Sequence, residues 1–485
     1  MVFSSHIFVF YFLPIVLLVY YILPKKGKHI ALTLFSYIFY GWANPIFIFL
    51  MLFSTVVDYL CGLFISEAWG KSGKIQLKAL EKNGQRTKNQ KRALLVSIVI
   101  NLSMLGFFKY FNFGIDNYNA LLGALGAESL QYHNFFRVVL PLGISFYTFQ
   151  SMSYSIDVFR GDAIAIRRFV DFSCYVSMFP QLVAGPIIRF QEVAEQLRNR
   201  THTAEKFARG ISFFMLGFGK KILIANVCGK IADISFNADG LYAFDAWYGV
   251  VAYAFQIYFD FSGYTDMAIG LGLMFGFVFP KNFDSPYSSK SITEFWRRWH
   301  QSLSTWLRDY LYIPLGGNRK GETRSYFNLA IVMLLGGLWH GASWNFLIWG
   351  AFHGNILALE RFSTKQNFHI KIPAVLKIML TFILVLFSWV FFRSDTLSDS
   401  WQYVCNMFNV GYVNPASSLI RSISFNSYYV TTFIIAAFIV WFSPQTWDFT
   451  RRITTYKAVF MIFVFIISLV ILTTQSFNPF IYFIF

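Results

Sequence analysis

Of 485 residues, 56% are hydrophobic, 20% aromatic and only 13% charged. Soluble domains carry about 25% charged residues, so this chain lacks the groups that would cover a water-facing surface. The formal charge of +17 does not mark a nucleic-acid binder, because Lys and Arg gather in short segments between apolar runs, as in loops retained on the cytoplasmic side of a membrane.

Anionic lipid headgroups account for the basic surplus. Crossing the hydrocarbon takes about 20 mostly apolar residues, and about nine to twelve such stretches can be counted. The four cysteines, Cys61, Cys174, Cys228 and Cys405, lie far apart and form no CxxC pair, which points to neither a zinc knuckle nor a disulfide framework.

In chain order, Val2 to Leu23 is the first span. It lacks a basic leader region and a small-residue cleavage site, so it reads as a retained helix. Pro24 and the cluster Lys25, Lys26 and Lys28 close it. Ile30 to Tyr40 and Ile46 to Ile65 follow, separated by a turn at Gly41 to Pro45. Segment 66–92 then reads as a cytoplasmic loop, with eight basic and two acidic residues from Glu67 to Arg92. Two crossings separate the basic segments, which places the N-terminus outside the cytoplasm.

Ala93 to Phe111 is the next span, and Asn112 to Arg137 reads as an external loop or surface helix. Val138 to Val158 is interrupted early by Pro141 and Gly143. Phe169 to Phe190 holds Pro180, Gly185, Pro186 and Arg189, which suits a partly re-entrant segment enclosed by protein. Phe207 to Val227 and Tyr242 to Phe279 supply about three more crossings. Gln256, Asp260 and Asp266 in the latter are expected to pair structurally with Arg or backbone amides.

Segment 281–324 changes character, with eight basic and four acidic residues. Ser291 and Glu294 have capping-box spacing. The helix they start is expected to carry Trp296, Trp299, Leu303, Trp306 and Tyr310 on one side and Arg297, Gln301, Ser304 and Arg308 on another. Such a helix suits the membrane interface, and Pro314 with Gly316, Gly317 and Asn318 ends it. Phe327 to Leu359, Pro373 to Phe392, Tyr428 to Phe442 and Ala458 to Thr474 complete the spans, before an aromatic tail from Phe480 to Phe485.

Among eight histidines, His6, His29, His133, His202 and His369 read as surface or interfacial. His340 stands within an apolar stretch between Trp339 and Gly341. Such surroundings favour neutral imidazole, which can take a hydroxyl proton while its other nitrogen stays tethered. Composition by itself weighs packing above catalysis for this residue, and more so for His300 at the basic end. Thirteen residues beyond His340, His353 is expected on a different helical face. No H-x-x-x-H spacing suggests a metal, and no G-x-S-x-G elbow suggests a covalent hydrolase.

Three runs carry a resemblance: Phe295 to His300 (FWRRWH), Leu307 to Asn318 (LRDYLYIPLGGN) and Gly337 to Asn345 (GLWHGASWN). They resemble the membrane-bound O-acyltransferases, in the bacterial branch of alginate and peptidoglycan O-acetylation proteins, with the D-alanyl transferase of teichoic acid as a cousin. The similarity covers nearly the whole chain, including Phe3 to Tyr20, Phe39 to Trp42, Phe179 to Pro186, Phe259 to Asp266 and Pro479 to Phe485.

The resemblance implies an all-α polytopic domain over residues 1–485, a ring of tilted transmembrane helices with re-entrant segments around a central tunnel or funnel. It implies His340 and His300 as catalytic residues. Arg297, Arg298, Trp299, Arg308, Asn318, Arg319, Trp339, Ser343, Trp344 and Asn345 would bind the donor or line the site, with Gln256, Asp260, Asp266 and His353 as secondary polar groups. The segment 281–324 could hold the phosphates of coenzyme A. An oxyanion donor is sought in a second histidine, a tryptophan N–H or Asn345.

The expected activity is transfer of acetyl from acetyl-coenzyme A towards an exported polysaccharide in the bacterial inner membrane, without a permanently bound cofactor or metal. The expected partners are an extracytoplasmic O-acetyltransferase of the SGNH type and membrane lipids. D-alanyl transfer from an acyl carrier protein, a flippase gated by His340, and a scaffold without chemistry are the alternatives.

Overall fold

A computed structural model describes residues 1–69, 77–82, 84–133, 136–366, 372–410, 413–414, 417–475, 477–479 and 481, with backbone only at 417–420. His369, parts of the 66–92 loop and the aromatic tail except Ile481 lie outside the described residues. Among those described, all regular structure is helical and no strand forms. It divides into two compact units: Met1–Phe207 with Gly272–Phe279, and Ala208–Leu271 with Pro280–Phe485.

The first unit holds α1 (Ile7–Ile22), α2 (Lys28–Gly41), α3 (Phe47–Ile65), α4 (Lys88–Ala124), α5 (Ile144–Arg160), α6 (Phe169–Ser177) and α7 (Phe190–Arg198). A capping box starts α4, where Thr87 Oγ1 accepts from Gln90 N at 3.2 Å and Gln90 Oε1 accepts from Thr87 N at 2.9 Å. The helix does not stop at Phe111. No proline intervenes, and Gly114 and Gly123 are tolerated, so residues 112–124 continue it until Gly126, at φ +69°, closes the end. The 37 residues reach about 56 Å, well beyond the hydrocarbon thickness.

Inside this unit the carboxyl of Asp58 accepts from Ser97 Oγ at 2.5 Å, Asn101 Nδ2 at 2.8 Å and Ser151 Oγ, so α3, α4 and α5 meet at a satisfied polar knot. The stretch from Phe169 is interrupted as its prolines require: α6 stops at Ser177, a single turn follows at Phe179–Leu182, and residues 172–188 are all buried. Protein therefore surrounds the irregular backbone.

Most of α8 (Ala204–Phe236) lies in the second unit, with α9 (Ala243–Met274), α10 (Ile292–Arg298), α11 (Gln301–Leu307), α12 (Glu322–His340), α13 (Trp344–Lys365), α14 (Ala374–Arg393), α15 (Leu397–Met407), α16 (Ser427–Phe442) and α17 (Thr455–Thr474). Helices α8 and α9 approach backbone to backbone: a Cβ on Gly217 would sit 2.4 Å from Gly263 O, and one on Gly270 2.5 Å from Gly210 O. A π turn at Lys220–Ala225 presents consecutive lysines, Lys220 to Asp266 and Lys221 to Asp260, each at 2.7 Å. The expected structural pairing of these carboxylates is present: Asp260 accepts from the backbone N–H of Ile481 at 3.0 Å, while the cations are lysines from α8 rather than arginines.

Among the described residues, five helices (α3, α4, α8, α14 and α17) are long and apolar enough to cross a membrane, and α1 and α16 are shorter apolar helices. That is fewer than the apolar stretches counted in the sequence, because α9, α12 and α13 are interspersed with Asp, Asn, His and Gly. The outward faces of α14 and α17 expose large apolar side chains such as Leu376, Leu380, Phe463 and Val470, which require lipid. The chain is a multi-pass membrane protein.

Two local breaks depart from the sequence expectation. Ser291 does cap α10, accepting from Glu294 N at 3.0 Å, but the helix then stops at Arg298 instead of running on to Tyr310. His300 takes a left-handed conformation, φ +43°, and α11 begins only after it. Likewise Phe327 to Leu359 is no single stretch: α12 ends at His340, Gly341 is extended, and α13 starts at Trp344.

Candidate functional site

Helices α12 and α13 form a tight hairpin because glycines face each other's backbone. A Cβ on Gly337 would lie 2.2 Å from Phe346 O, and one on Gly350 would lie 2.4 Å from Met333 O. Gly350→Ala is therefore expected to force the helices apart and cost about 1–3 kcal/mol. Thermal unfolding in detergent checks this, with Gly106→Ala as control. Gly106 has nothing within 4 Å, and alanine there should leave the midpoint unchanged or raise it.

The hairpin places His340, 3% exposed, at the end of α12. Its ring meets Trp339, Trp349 and Phe392 edge-on at centroid distances of 5.0, 5.2 and 5.1 Å. Trp349 also meets His353 at 4.9 Å, so one indole bridges two imidazoles. The sequence argument that turned His353 to another face is corrected here. Counting rotation over thirteen residues assumed one helix, and the break at Gly341 to Ser343 folds α13 back beside α12.

His300 is fully buried, with its ring 4.7 Å from Phe261 and 6.0 Å from Trp339. Trp339 thus contacts both His300 and His340. The α10–α11 break creates this placement, and Asn282 holds it. Asn282 Oδ1 accepts from Ser302 N at 3.1 Å and Ser302 Oγ at 2.9 Å, while Asn282 O accepts from Gln301 N at 2.9 Å.

The backbone N–H of Ser302 can only donate, so the Asn282 atom facing it is the amide oxygen. His300 Nδ1, 3.2 Å from that oxygen, must then carry the hydrogen. The lone pair falls on Nε2, which is buried and has no hydrogen-bond partner among the described residues. Position 300 is therefore an acceptor of fixed tautomer. Nothing in the sequence singled out Asn282, which acts across a gap of 18 residues.

The same bookkeeping identifies donors. Trp296 Nε1 donates to His353 Nδ1 at 3.4 Å, leaving the His353 hydrogen on Nε2. His353 Nε2 and Trp349 Nε1 are buried donors without an acceptor among the described residues. Asn345, considered from sequence as an oxyanion donor, is committed elsewhere: its Nδ2 donates to Ser394 O at 2.6 Å and lies 3.3 Å from Ser400 Oγ.

The remaining candidates scatter. Trp299 packs among Phe295, Phe283 and Trp389. Arg298 pairs with Glu294 at 2.7 Å, and Arg308 with its neighbour Asp309 at 2.7 Å. Arg319 is exposed, Ser343 is the N-cap residue of α13, and Trp344 is 51% exposed. Gln256 packs over Gly229.

Arg297 and Asn318 line a groove of about 950 Å³ with Lys290, Arg361, Lys365 and Lys377. Asn318 Oδ1 accepts from Arg361 Nη1 at 2.9 Å, and Lys365 pairs with Glu322. The groove's carboxylate, Glu360, is spent on the start of α10, accepting from Ile292 N at 2.6 Å and Thr293 N at 2.8 Å. Lys290, Arg297 and Lys377 have no carboxylate within ion-pair distance among the described residues, so the groove suits an anion.

A model of the membrane-bound O-acyltransferase family, MBOAT, matches residues 162–395. The probable alginate O-acetylase AlgI of Azotobacter vinelandii is 48% identical, over 85% of this chain and 79% of its own length. The chain belongs to the membrane-bound O-acyltransferase family. It is an O-acyltransferase, and the matched region of this enzyme includes His300, His340, His353, Asn282 and the basic groove. The peptidoglycan O-acetyltransferase of Helicobacter pylori is 35% identical over 85% of the acyltransferase and 81% of its own length. The teichoic acid D-alanyltransferase of Streptococcus thermophilus is 29% identical, over 54% and 69% respectively.

Proposed function

We propose that the acyltransferase takes acetyl from acetyl-coenzyme A and passes it towards an exported polysaccharide, in the inner membrane of a bacterium and with an SGNH-type extracytoplasmic O-acetyltransferase as partner. The relatives named for alginate and peptidoglycan O-acetylation support the polymer class. The observation that carries the chemistry is the pair of buried imidazoles that both contact the Trp339 ring.

In this reading His340 takes the proton of the acceptor hydroxyl as its oxygen attacks the thioester carbonyl. The C–S bond then breaks, and the proton passes to the departing thiolate. His300, an acceptor on its open side, holds an O–H or N–H of a substrate in place. The Trp349 indole N–H steadies the oxyanion, where a buried donor acts with little competition from water.

The groove around Arg297 holds the phosphates of coenzyme A. Removing two of its free cations, Lys290→Ala with Arg297→Ala, is expected to raise KM for acetyl-coenzyme A about tenfold with kcat nearly unchanged, because phosphate contacts far from the reacting carbon persist equally in ground and transition states.

The test supplies purified enzyme with isotopically labelled acetyl-coenzyme A or with a D-alanyl-charged carrier protein, and asks which thioester is consumed. Consumption of the charged carrier alone would replace acetyl by D-alanyl transfer. Consumption of neither would overturn both donor readings.

A further inference from the structure

The first unit contains a second basic concavity, independent of the acyl-transfer reading. A pocket of about 490 Å³ is lined by six cations, Lys25, Lys26, Lys28, Arg168, Arg198 and Arg200, against a single carboxylate, Asp171.

That carboxylate is already spent. Asp171 Oδ1 lies 2.7 Å from His29 Nδ1, and His29 Nε2 lies 2.5 Å from Arg200 Nη1. Arginine only donates, so Nε2 accepts and the His29 hydrogen sits on Nδ1, directed at Asp171. The His29–Asp171 pair therefore looks like a general-base dyad but has no lone pair left for a substrate. It clamps Arg200 instead.

Arg200 also donates to Tyr20 Oη, from Nη2 at 2.9 Å and Nε at 3.2 Å, and Tyr20 donates to Phe275 O at 2.8 Å. The floor of the pocket is thus fixed by a connected network. Desolvation, with Lys28 and Arg200 nearby, holds the His202 imidazole down to about 4, as a positive enclosure should.

Around this floor, Lys25, Lys26, Arg168 and Arg198 are exposed, and no carboxylate lies within ion-pair distance of them among the described residues. From the pocket mouth, outward apolar stripes run along two helices: Leu18 and Ile22 on α1, and Ile30, Leu34 and Ile38 on α2. They start beside Leu23 and His29, which line the pocket.

We propose that this pocket seats the phosphate headgroup of an anionic membrane lipid, whose acyl chains lie on the stripes of α1 and α2. A soluble phosphate would use the cations but leave the stripes without purpose, and a zwitterionic lipid would bring its own cation into an already positive site.

Native mass spectrometry of the purified chain in neutral detergent, titrated with phosphatidylglycerol, tests this. Lys26→Ala with Arg198→Ala is expected to weaken phosphatidylglycerol binding about thirtyfold. Removing two exposed cations elsewhere, Arg451→Ala with Arg452→Ala, should change it less than about threefold. Charge reversal at the exposed Lys25, Lys25→Glu, gives a second variant that does not disturb the buried network. Equal affinity for phosphatidylcholine, equal loss in the two double variants, or complete displacement by millimolar inorganic phosphate would each overturn the assignment.

Discussion

Replacing His340 by alanine is expected to lower acyl transfer roughly a hundredfold to ten-thousandfold, the range associated with losing a positioned general base. The imidazole is almost fully buried among Trp339, Trp349 and Phe392, so it is held in one orientation. Truncation also leaves a cavity, and loss of folding must be separated from loss of chemistry. His340→Gln retains much of the volume and should lose comparable activity while its thermal midpoint in detergent stays closer to the parent. At His300 the informative change is His300→Asn, because asparagine tolerates the left-handed backbone at φ +43°. The readout is transfer of label from acetyl-coenzyme A. Full surface acylation in a strain carrying only His340→Ala would remove the basis of the proposed mechanism.

Trp349→Phe is expected to reduce turnover by about a hundredfold to a thousandfold, comparable to removing one oxyanion donor in other acyl-transfer sites. Phenylalanine keeps a ring between His340 and His353 and deletes only the indole N–H with the outer part of the ring system. In the resting protein that N–H has no acceptor among the described residues, so its burial already costs about 1–3 kcal/mol. Deleting it should offset much of the packing loss, and the midpoint should move little while activity collapses. A purely structural Trp349 predicts the reverse, a lower midpoint with activity per folded molecule retained. Steady-state kinetics and thermal unfolding on the same preparation distinguish the two.

The membrane class and the helical fold follow from composition and from local patterns, whereas the two histidine motifs were legible only through the resemblance to a family. Apolar runs, prolines and capping residues act within a few positions of themselves, and so Thr87, Ser291, Pro180 and Gly126 terminate or start helices where their chemistry demands. Periodicity failed at Trp299–His300 and at Gly341–Ser343. In both places the chain abandons helical geometry for contacts with distant residues. Asn282 supplies the hydrogen bonds that α11 would otherwise have drawn from a continuous helix, and Phe346 with Gly350 fills the space that Gly337 and Gly341 leave open.

By itself, then, the order of residues determined that this chain lies in lipid, that it is built of helices, and that His300 and His340 stand in acyltransferase-like motifs. Only the tertiary structure decided that His353 joins their aromatic cluster, that Asn345 is spent on Ser394, and which nitrogen of His300 is open. The physical reason is range. Helix formation and lipid burial are settled by neighbours in sequence, whereas a side chain's tautomer and its free valence depend on whichever groups the fold brings within about 3 Å of it.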